Sequence, residues 1–164
     1  MDDVKNSVRF QILRFLLAGE NYAFDVLKTR EVISVVKVTP LPNSIDSLSG
    51  VVNLRGSIIP VVDLRRKLKL EEATNTVDTS IIIVELQNEG ELVVIGVIVD
   101  AVKGVVSCES SEIEEPPRFG MKLKATVVQS IVKKDNDFVV ILDVDKLLQE
   151  DELHQILDPQ VSES

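Results

Sequence analysis

Short runs of β-branched and aliphatic residues, separated by polar turns, dominate the chain. In the clearest example, segment 51–65, two apolar runs flank a polar turn that contains Arg55 and Gly56. Val and Ile fit a half-buried pleated surface, so both runs predict strands. Gly56 can adopt the positive φ that a tight turn often needs, so the segment predicts a β-hairpin that displays Arg55 beside a rigid turn.

The same pattern predicts further strands and a few short helices. Pro40 and Pro42 end one of these strands, because proline cannot donate to a ladder. Asp63 and Asp143 each follow an apolar run and can cap a short helix. Besides the hairpin, the predicted strands cover 8–17, 22–24, 32–38, 80–86, 92–99, 105–108, 125–132 and 138–142, and the predicted helical segments cover 43–48, 64–70 and 144–148.

A weak internal repeat accompanies this pattern. Residues 61–68 resemble residues 141–148, since each is a strand that ends at an aspartate, and residues 31–34 more faintly resemble 104–107. Many short strands with close turns fit barrels, whose closure removes exposed sheet edges. The repeat therefore predicts an all-β protein made of two small barrels of one design.

The composition shift at the polar link 71–79 indicates where one barrel meets the other. We predict a single domain over 8–150 that contains both barrel subdomains, with the seam near 71–79 and the N-terminal strands shared between them. An acidic tail, 151–164, follows this domain.

Charge and composition narrow the function. The 164 residues are 45% hydrophobic, which excludes a disordered chain, and the net charge of −9 disfavours binding to nucleic acid or to an anionic membrane. Cys108 is the single cysteine, so no disulfide can form within the chain. No secretion signal begins the sequence, and charges interrupt every apolar run before about 18 residues. We therefore expect a cytoplasmic protein without membrane insertion.

The residues needed for catalysis are scarce. His154 is the single histidine and lies in the acidic tail, while Cys108 follows a Val-rich strand without a basic neighbour in sequence. One cysteine and one histidine cannot form an ordinary zinc site, and the spacing of Asp143 and Asp145 lacks the glycine and further oxygens of a calcium loop. We predict a non-enzymatic protein without metal or cofactor.

Recognition of another protein is the remaining interpretation. Arg55 offers several planar donors and stays charged, although it could equally be an ordinary solvated turn residue. If two barrels pack side by side, the seam between them forms a groove, and aliphatic walls with charges at the rim would suit an apolar helix.

The hairpin sequence Asn-Leu-Arg-Gly-Ser-Ile-Ile-Pro-Val-Val-Asp-Leu-Arg at 53–65 closely resembles the signature of the CheW family of chemotaxis coupling proteins. Further stretches match in the same order, at 22–27, 30–33, 50–52, 96–102 and 142–148. Several motifs in the right order are more specific than any one alone. The resemblance implies two intertwined five-stranded SH3-like barrels, packed side by side with short helices.

The resemblance also implies partners. It implies an adaptor that joins the cytoplasmic tip of methyl-accepting chemoreceptors to the regulatory domain of the histidine kinase CheA, at receptor arrays on the inner face of the membrane. The positions that match the family's receptor-binding residues are Glu31, Val32, Arg55, Val97, Ile98 and Val99, with Gly50, Asn53 and Gly56 shaping the turns beside them. The kinase-facing candidates are Val36, Val38 and Leu41.

Two other functions stay open at this point. A related adaptor could serve a receptor–kinase pathway for pilus motility or another non-flagellar process, since the groove would be the same. A small hydrolase or ligand-binding barrel would require a polar catalytic cluster around His154 or Cys108.

Overall fold

The computed structural model describes residues 8–35, 38–42, 46–70, 75–114 and 127–147. Within these residues the chain is almost entirely β-structure, with two one-turn α-helices and two short 3₁₀ turns, at Val26–Lys28 and Ser110–Glu112. The helices are α1, Leu64–Lys67, and α2, Val144–Leu147. The strands are β1 Arg9–Leu17, β2 Glu20–Asp25, β3 Thr29–Ser34, β4 Leu48–Leu54, β5 Ser57–Asp63, β6 Ser80–Asn88, β7 Glu91–Val99, β8 Ala101–Glu109, β9 Ile113–Glu114, β10 Val128–Lys134 and β11 Asp137–Leu142.

The strands form two sheets. The first sheet has the order β8-β1-β2-β11-β10-β9, and the second has the order β3-β6-β7-β5-β4. The chain therefore crosses from the first sheet to the second after β2 and returns after β7. The link 71–79 precedes β6, and the strands on both sides of it belong to the second sheet, so the seam does not lie there. Strands β1 and β2 pair within the first sheet, with strands from the C-terminal half.

Each sheet is closed by one bent segment of chain. In the first sheet β8 pairs with β1, and after the turn Ser110–Glu112 the continuing β9 pairs with β10 at the opposite edge. In the second sheet β3 pairs with β6, and Thr39 farther along the chain exchanges two backbone hydrogen bonds of 2.9 Å with Val51 of β4. Five segments thus form the wall of each barrel, and the predicted all-β fold with two small barrels is confirmed.

The internal repeat is confirmed by the hydrogen-bond register. The amide of Asp63 donates to the carbonyl of Ser47 at 2.8 Å, and 80 residues later the amide of Asp143 donates to the carbonyl of Val127 at the same distance. The hairpins β4–β5 and β10–β11 each carry one register shift at corresponding positions. Each final strand, β5 or β11, also pairs in parallel with a strand of the hairpin that completes its barrel.

The hydrophobic core has three parts, one inside each barrel and one between the two. In β6, Ile81 and Ile83 face the interior of the second barrel, whereas Ile82 and Val84 face the seam. A strand covered on both faces reads as a continuous apolar run, which explains the sequence of β6. Buried side chains of the seam come from both sheets and include Leu13, Phe15, Leu17, Tyr22, Phe24, Leu48, Val62, Leu64, Ile82, Val84, Leu86, Ile95, Val97, Val99, Val128, Ile131, Leu142, Val144 and Leu147.

Several element boundaries differ from the predicted ones. Strand β3 begins at Thr29, because its polar first residues find partners in the folded protein. Leu48 begins β4 instead of ending a helix. The strand predicted over 105–108 begins earlier, at Ala101, and β8 contains a bulge beside Gly104, which adopts a φ of +115°. Helix α1 ends at Lys67, and the left-handed φ of +58° at Lys69 prevents further helix.

A buried ion-pair network joins the two sheets near the second crossing. The Arg65 guanidinium donates from Nε and Nη2 to the two carboxylate oxygens of Asp63, each at 3.0 Å, and from Nη1 to Asp100 at 3.2 Å. Asp100 lies between β7 and β8, and its other oxygen accepts from the amide of Ala18 in the β1–β2 turn at 2.8 Å. The hydrogen bonds to Asp63 raise the pKa of Arg65. The network therefore connects β5, the crossing and the first sheet.

Replacing Gly50 by alanine tests the closure of the second barrel. An added Cβ would lie 2.2 Å from the carbonyl oxygen of Thr39, and Gly50 has a φ of +150° that side chains rarely adopt. We expect Gly50→Ala to lower the free energy of unfolding by about 3 kcal/mol or more, measured by urea denaturation. Gly19→Ala is the control, because it meets only the strain of its positive φ, with nothing within 4 Å, and should cost about 1 kcal/mol. Equal losses would contradict the close approach at Gly50.

Replacing Arg65 tests the buried network. Arg65→Met leaves the carboxylates of Asp63 and Asp100 without their buried counter-ion, so we expect a loss of about 3–5 kcal/mol in the free energy of unfolding at neutral pH. Arg9→Met is the matched control, since Arg9 pairs with Glu109 on the exposed surface, and it should cost less than about 1 kcal/mol. A loss no greater than that of the control would show that the network does not hold the sheets together.

Candidate docking site at the end of the second barrel

The hairpin β4–β5 turns through two residues, Arg55 and Gly56. Leu54 pairs with Ser57 across the turn, and both central residues have positive φ angles, +48° and +88°, as a type I′ turn requires. The side-chain oxygen of Asn53 accepts from the amide of Gly56 at 2.9 Å and fixes the turn. The predicted display of Arg55 at a rigid turn is confirmed.

The left-handed backbone at Arg55 is a property of the fold and not by itself a sign of function. The other three two-residue hairpin turns also have two positive φ angles, at 18–19, 89–90 and 135–136. Such turns match the right-handed twist of the strands that they connect. What distinguishes Arg55 is therefore its side chain and the partner that it finds.

That partner is Glu31 of β3. The Arg55 guanidinium donates from Nη2 and Nη1 to the two oxygens of Glu31, at 2.5 and 3.2 Å. The Arg55 side chain is 70% exposed and the Glu31 side chain 32% exposed. β3 and β4 stand at opposite ends of the strand order, so closure of the barrel is what brings these two residues together. The structure thus joins two residues that the sequence analysis had identified separately.

The ion pair shifts the pKa of both groups. The hydrogen bond from Arg55 is the main cause that lowers the pKa of Glu31, and the charges of Arg55 and Arg30 act in the same direction. The same hydrogen bond raises the pKa of Arg55. Both side chains are therefore charged throughout the neutral range and hold each other in one geometry.

Neighbouring charges anchor the start of β3 in the same way. Lys28, just before the strand, pairs with Asp145 of α2 at 2.8 Å, and Arg30 pairs with Glu85 of β6 at 2.5 Å. The three charged positions Lys28, Arg30 and Glu31 thus connect to three different elements, α2, β6 and the β4–β5 turn. The sequence analysis missed these pairs, and no local pattern could reveal them, because the partners lie 55 or more residues away in the chain.

Apolar side chains flank the pair. Val32 alternates with the inward-facing Ile33 and is 41% exposed, while Ile58, in β5 beside the turn, is 73% exposed. We call Glu31, Val32, Arg55 and Ile58 the Arg55 rim. The sequence analysis missed Ile58, although strand alternation with the buried Ile59 could have indicated its outward position.

The predicted strand of β7 lies beneath the surface. Val97 and Val99 pack in the seam and Ile98 in the second barrel, and none of the three side chains is more than 3% exposed. All three side chains are closed to solvent in this structure, and their predicted role in receptor binding stays a prediction. Gly50 lies at the contact of β4 with the segment around Thr39.

The kinase-facing candidates lie between β3 and β4. Val38 is half-buried against the core of the second barrel, and Leu41 is half-buried against the seam. Val36 falls outside the described residues. Their role in binding stays a prediction.

Residues with catalytic potential are not assembled into a site in the described ranges. Cys108 is buried in the first barrel, and burial raises the pKa of its thiol. His154 falls outside the described residues. Where the chain is described, no three His, Cys, Asp or Glu side chains gather as metal ligands would, and the helices there are too short to span a bilayer.

Removing Arg55 should raise the pKa of Glu31 toward its ordinary value. A depressed pKa in the folded state means that the pair stabilises the fold at neutral pH and that this contribution is lost as the pH falls through the folded-state pKa. We expect an NMR titration of the Glu31 carboxyl to give a midpoint below the ordinary 4.5, and Arg55→Gln to move it upward. Arg9→Gln, far along the other sheet, should leave it in place. An unchanged midpoint in Arg55→Gln would show that the pair does not persist in solution.

Comparison with known proteins gives a consistent result. A family model described as a CheW-like domain matches residues 11–152. The chemotaxis protein CheW of Bacillus subtilis is 32% identical over 141 residues, covering 86% of this chain and 88% of that protein. Its counterpart from Thermotoga maritima is 33% identical over 144 residues, covering 86% and 89%.

A solved structure shares the architecture. The crystal structure of the scaffolding protein TtCheW from Thermoanaerobacter tengcongensis superimposes with a TM-score of 0.76 at 32% identity, covering 88% of this chain and 96% of that one. The family model, the relatives and the fold agree, and the chain belongs to the CheW family.

Proposed function

We propose that this protein is a non-enzymatic adaptor that couples methyl-accepting chemoreceptors to the histidine kinase CheA in chemotaxis. Support comes from its membership of the CheW family and from relatives that are named as chemotaxis and scaffolding proteins. The observation that carries the proposal is the bidentate Glu31–Arg55 pair on the exposed Arg55 rim. Its place of action would be the cytoplasm, at receptor arrays on the inner face of the membrane.

The Arg55 rim is suited to a helical partner. Glu31 engages two donors of the guanidinium, and a guanidinium has five, so Arg55 keeps donors for a carboxylate or carbonyl of the receptor tip. The exposed side chains of Val32 and Ile58 offer apolar contact for one face of a helix. Because Glu31 and the type I′ turn hold Arg55 in place, docking orders few additional groups. Val97, Ile98 and Val99 support this surface from beneath.

The kinase would occupy a separate face. Val38 and Leu41 precede β4, and each keeps part of its side chain exposed while it packs on a core. We assign this segment, together with Val36, to the regulatory domain of CheA, which in the CheW resemblance has the same fold and pairs barrel to barrel. Receptor and kinase would then bind simultaneously, as an adaptor requires.

Charge reversal tests the receptor face. In arrays reconstituted from receptor, CheA and this protein, we expect Arg55→Glu or Glu31→Lys to reduce kinase activation about tenfold, because a like charge at an interface rim opposes docking. The fold should survive, since the pair is exposed and contributes little stability. Binding to the isolated regulatory domain of CheA should be unchanged in both variants.

Arg9→Glu is the matched control, because Arg9 also forms an exposed ion pair with one carboxylate but lies in the first sheet. It should support activation at the level of the unmodified protein. Normal activation by both rim variants would remove the Arg55 rim as the receptor site, and loss of binding to the CheA domain would place the kinase there instead.

A further inference from the structure

The internal repeat makes two helix positions equivalent. Arg65 is the second residue of α1 and Asp145 the second residue of α2, and both follow a strand-ending aspartate by two residues. The 80-residue spacing is the same one that relates Asp63 to Asp143 in the backbone register. Arg65 and Asp145 thus occupy equivalent positions but carry opposite charges, and their contacts differ accordingly.

Each side chain forms an ion pair with a residue at one of the two crossings between the sheets. Arg65 binds Asp100, which lies between β7 and β8, and Asp100 in turn accepts from the amide of Ala18 in the hairpin turn of the first sheet. We call Asp63, Arg65 and Asp100 the Arg65 latch.

The first crossing, after β2, has the corresponding arrangement. Asp145 binds Lys28, which lies between β2 and β3, at 2.8 Å, and it accepts from the amide of Gln87 near the hairpin turn of the second sheet at 3.4 Å. We call Lys28 and Asp145 the Asp145 latch. Each latch thus links a helix, a crossing and the hairpin of the other sheet. The polarity of the two latches is opposite, because the helix supplies the cation in the Arg65 latch and the anion in the Asp145 latch.

The opposite polarity of the latches bears on which hairpin enters which barrel, because the two hairpins, β1–β2 and β6–β7, occupy equivalent places in the two barrels. Within one chain they cannot trade places. In the second barrel, Ser80 pairs with both Val99 at the end of β7 and Ser34 at the end of β3. If β1–β2 occupied the place of β6–β7, the end of β2 would lie beside Ser80. The chain would then have to run from there to Thr29, the first residue of β3, which lies about 17 Å along the barrel and two strands away. The four Cα steps from Asp25 span at most about 14 Å.

Between two copies no such limit applies, and one copy's β1–β2 could complete the second barrel of another. Arg65 would then face Lys28, and Asp145 would face Asp100. Both contacts bring like charges together, one of them at the buried Arg65, whose side chain is 5% exposed. We propose that the opposite polarity of the two latches selects the correct hairpin for each barrel and suppresses strand exchange between copies of this chain.

Inverting the exposed latch tests this proposal. In the double variant Lys28→Asp with Asp145→Arg, the native pair is kept with reversed polarity. The contacts of the exchanged assembly, Arg65 with residue 28 and Asp100 with residue 145, become attractive. After refolding from denaturant at high protein concentration, we expect the fraction of oligomer that persists on dilution to rise about tenfold, because both contacts of the exchanged assembly change from repulsive to attractive. Size-exclusion chromatography with light scattering measures this fraction.

Glu112→Lys with Lys134→Glu is the matched control. It inverts a partly exposed pair without changing net charge, and neither residue belongs to a hairpin that could be exchanged, because Glu112 lies in the turn after β8 and Lys134 lies in β10. An oligomer fraction equal to that of the control would overturn the proposal. The thermal unfolding of the monomer fraction should match that of the unmodified protein.

A second comparison decides the matter if the double variant folds poorly. Lys28→Asp and Lys28→Gln both lose the native pair, but only the aspartate offers Arg65 a partner in the exchanged assembly. We expect several-fold more persistent oligomer from Lys28→Asp, and equal amounts would overturn the proposal.

Discussion

The two crossings of the chain between its sheets are the constraint on which the rest of the structure depends. The second barrel is formed by the consecutive strands β3–β7, whereas the first barrel combines the N-terminal hairpin β1–β2 with the later strands β8–β11, so it can be completed only after the chain returns at the second crossing. The seam core takes side chains such as Phe15 and Phe24 from the first sheet and Ile82 and Val97 from the second. Burial of this apolar surface therefore requires both crossings to be in place.

The candidate site inherits its geometry from the same constraint. β3 is the strand that enters the second sheet at the first crossing, and its closure against β4 carries Glu31 to Arg55. Lys28 ties the beginning of this strand to a helix of the first sheet. The Arg55 rim is thus attached to both barrels, which would suit the proposed adaptor, because an adaptor must hold two partners in a fixed relation.

Local features of the fold followed from the sequence, because they depend on neighbouring residues. The turn at Arg55 and Gly56, the aspartate caps and the repeat all rest on the preferences of a few adjacent side chains. The crossings did not follow, since the composition shift at 71–79 falls between β5 and β6, which belong to the same sheet. The burial of Ile98 and the pairing of Glu31 with Arg55 also depend on closure of the sheet, which involves residues far apart in the chain.

The repeat also shows how one backbone design supports two different surfaces. Ile58 and Phe138 occupy equivalent outward positions beside the two hairpin turns, and both are exposed. At the turns themselves the charge differs, because Arg55 in the second barrel corresponds to Asp135 in the first. Hydrophobic pattern and turn geometry are thus shared between the halves, whereas charge distinguishes them. At the turn itself the second barrel offers a guanidinium and the first barrel a carboxylate, so a partner can distinguish the two ends by this charge although their backbones are alike.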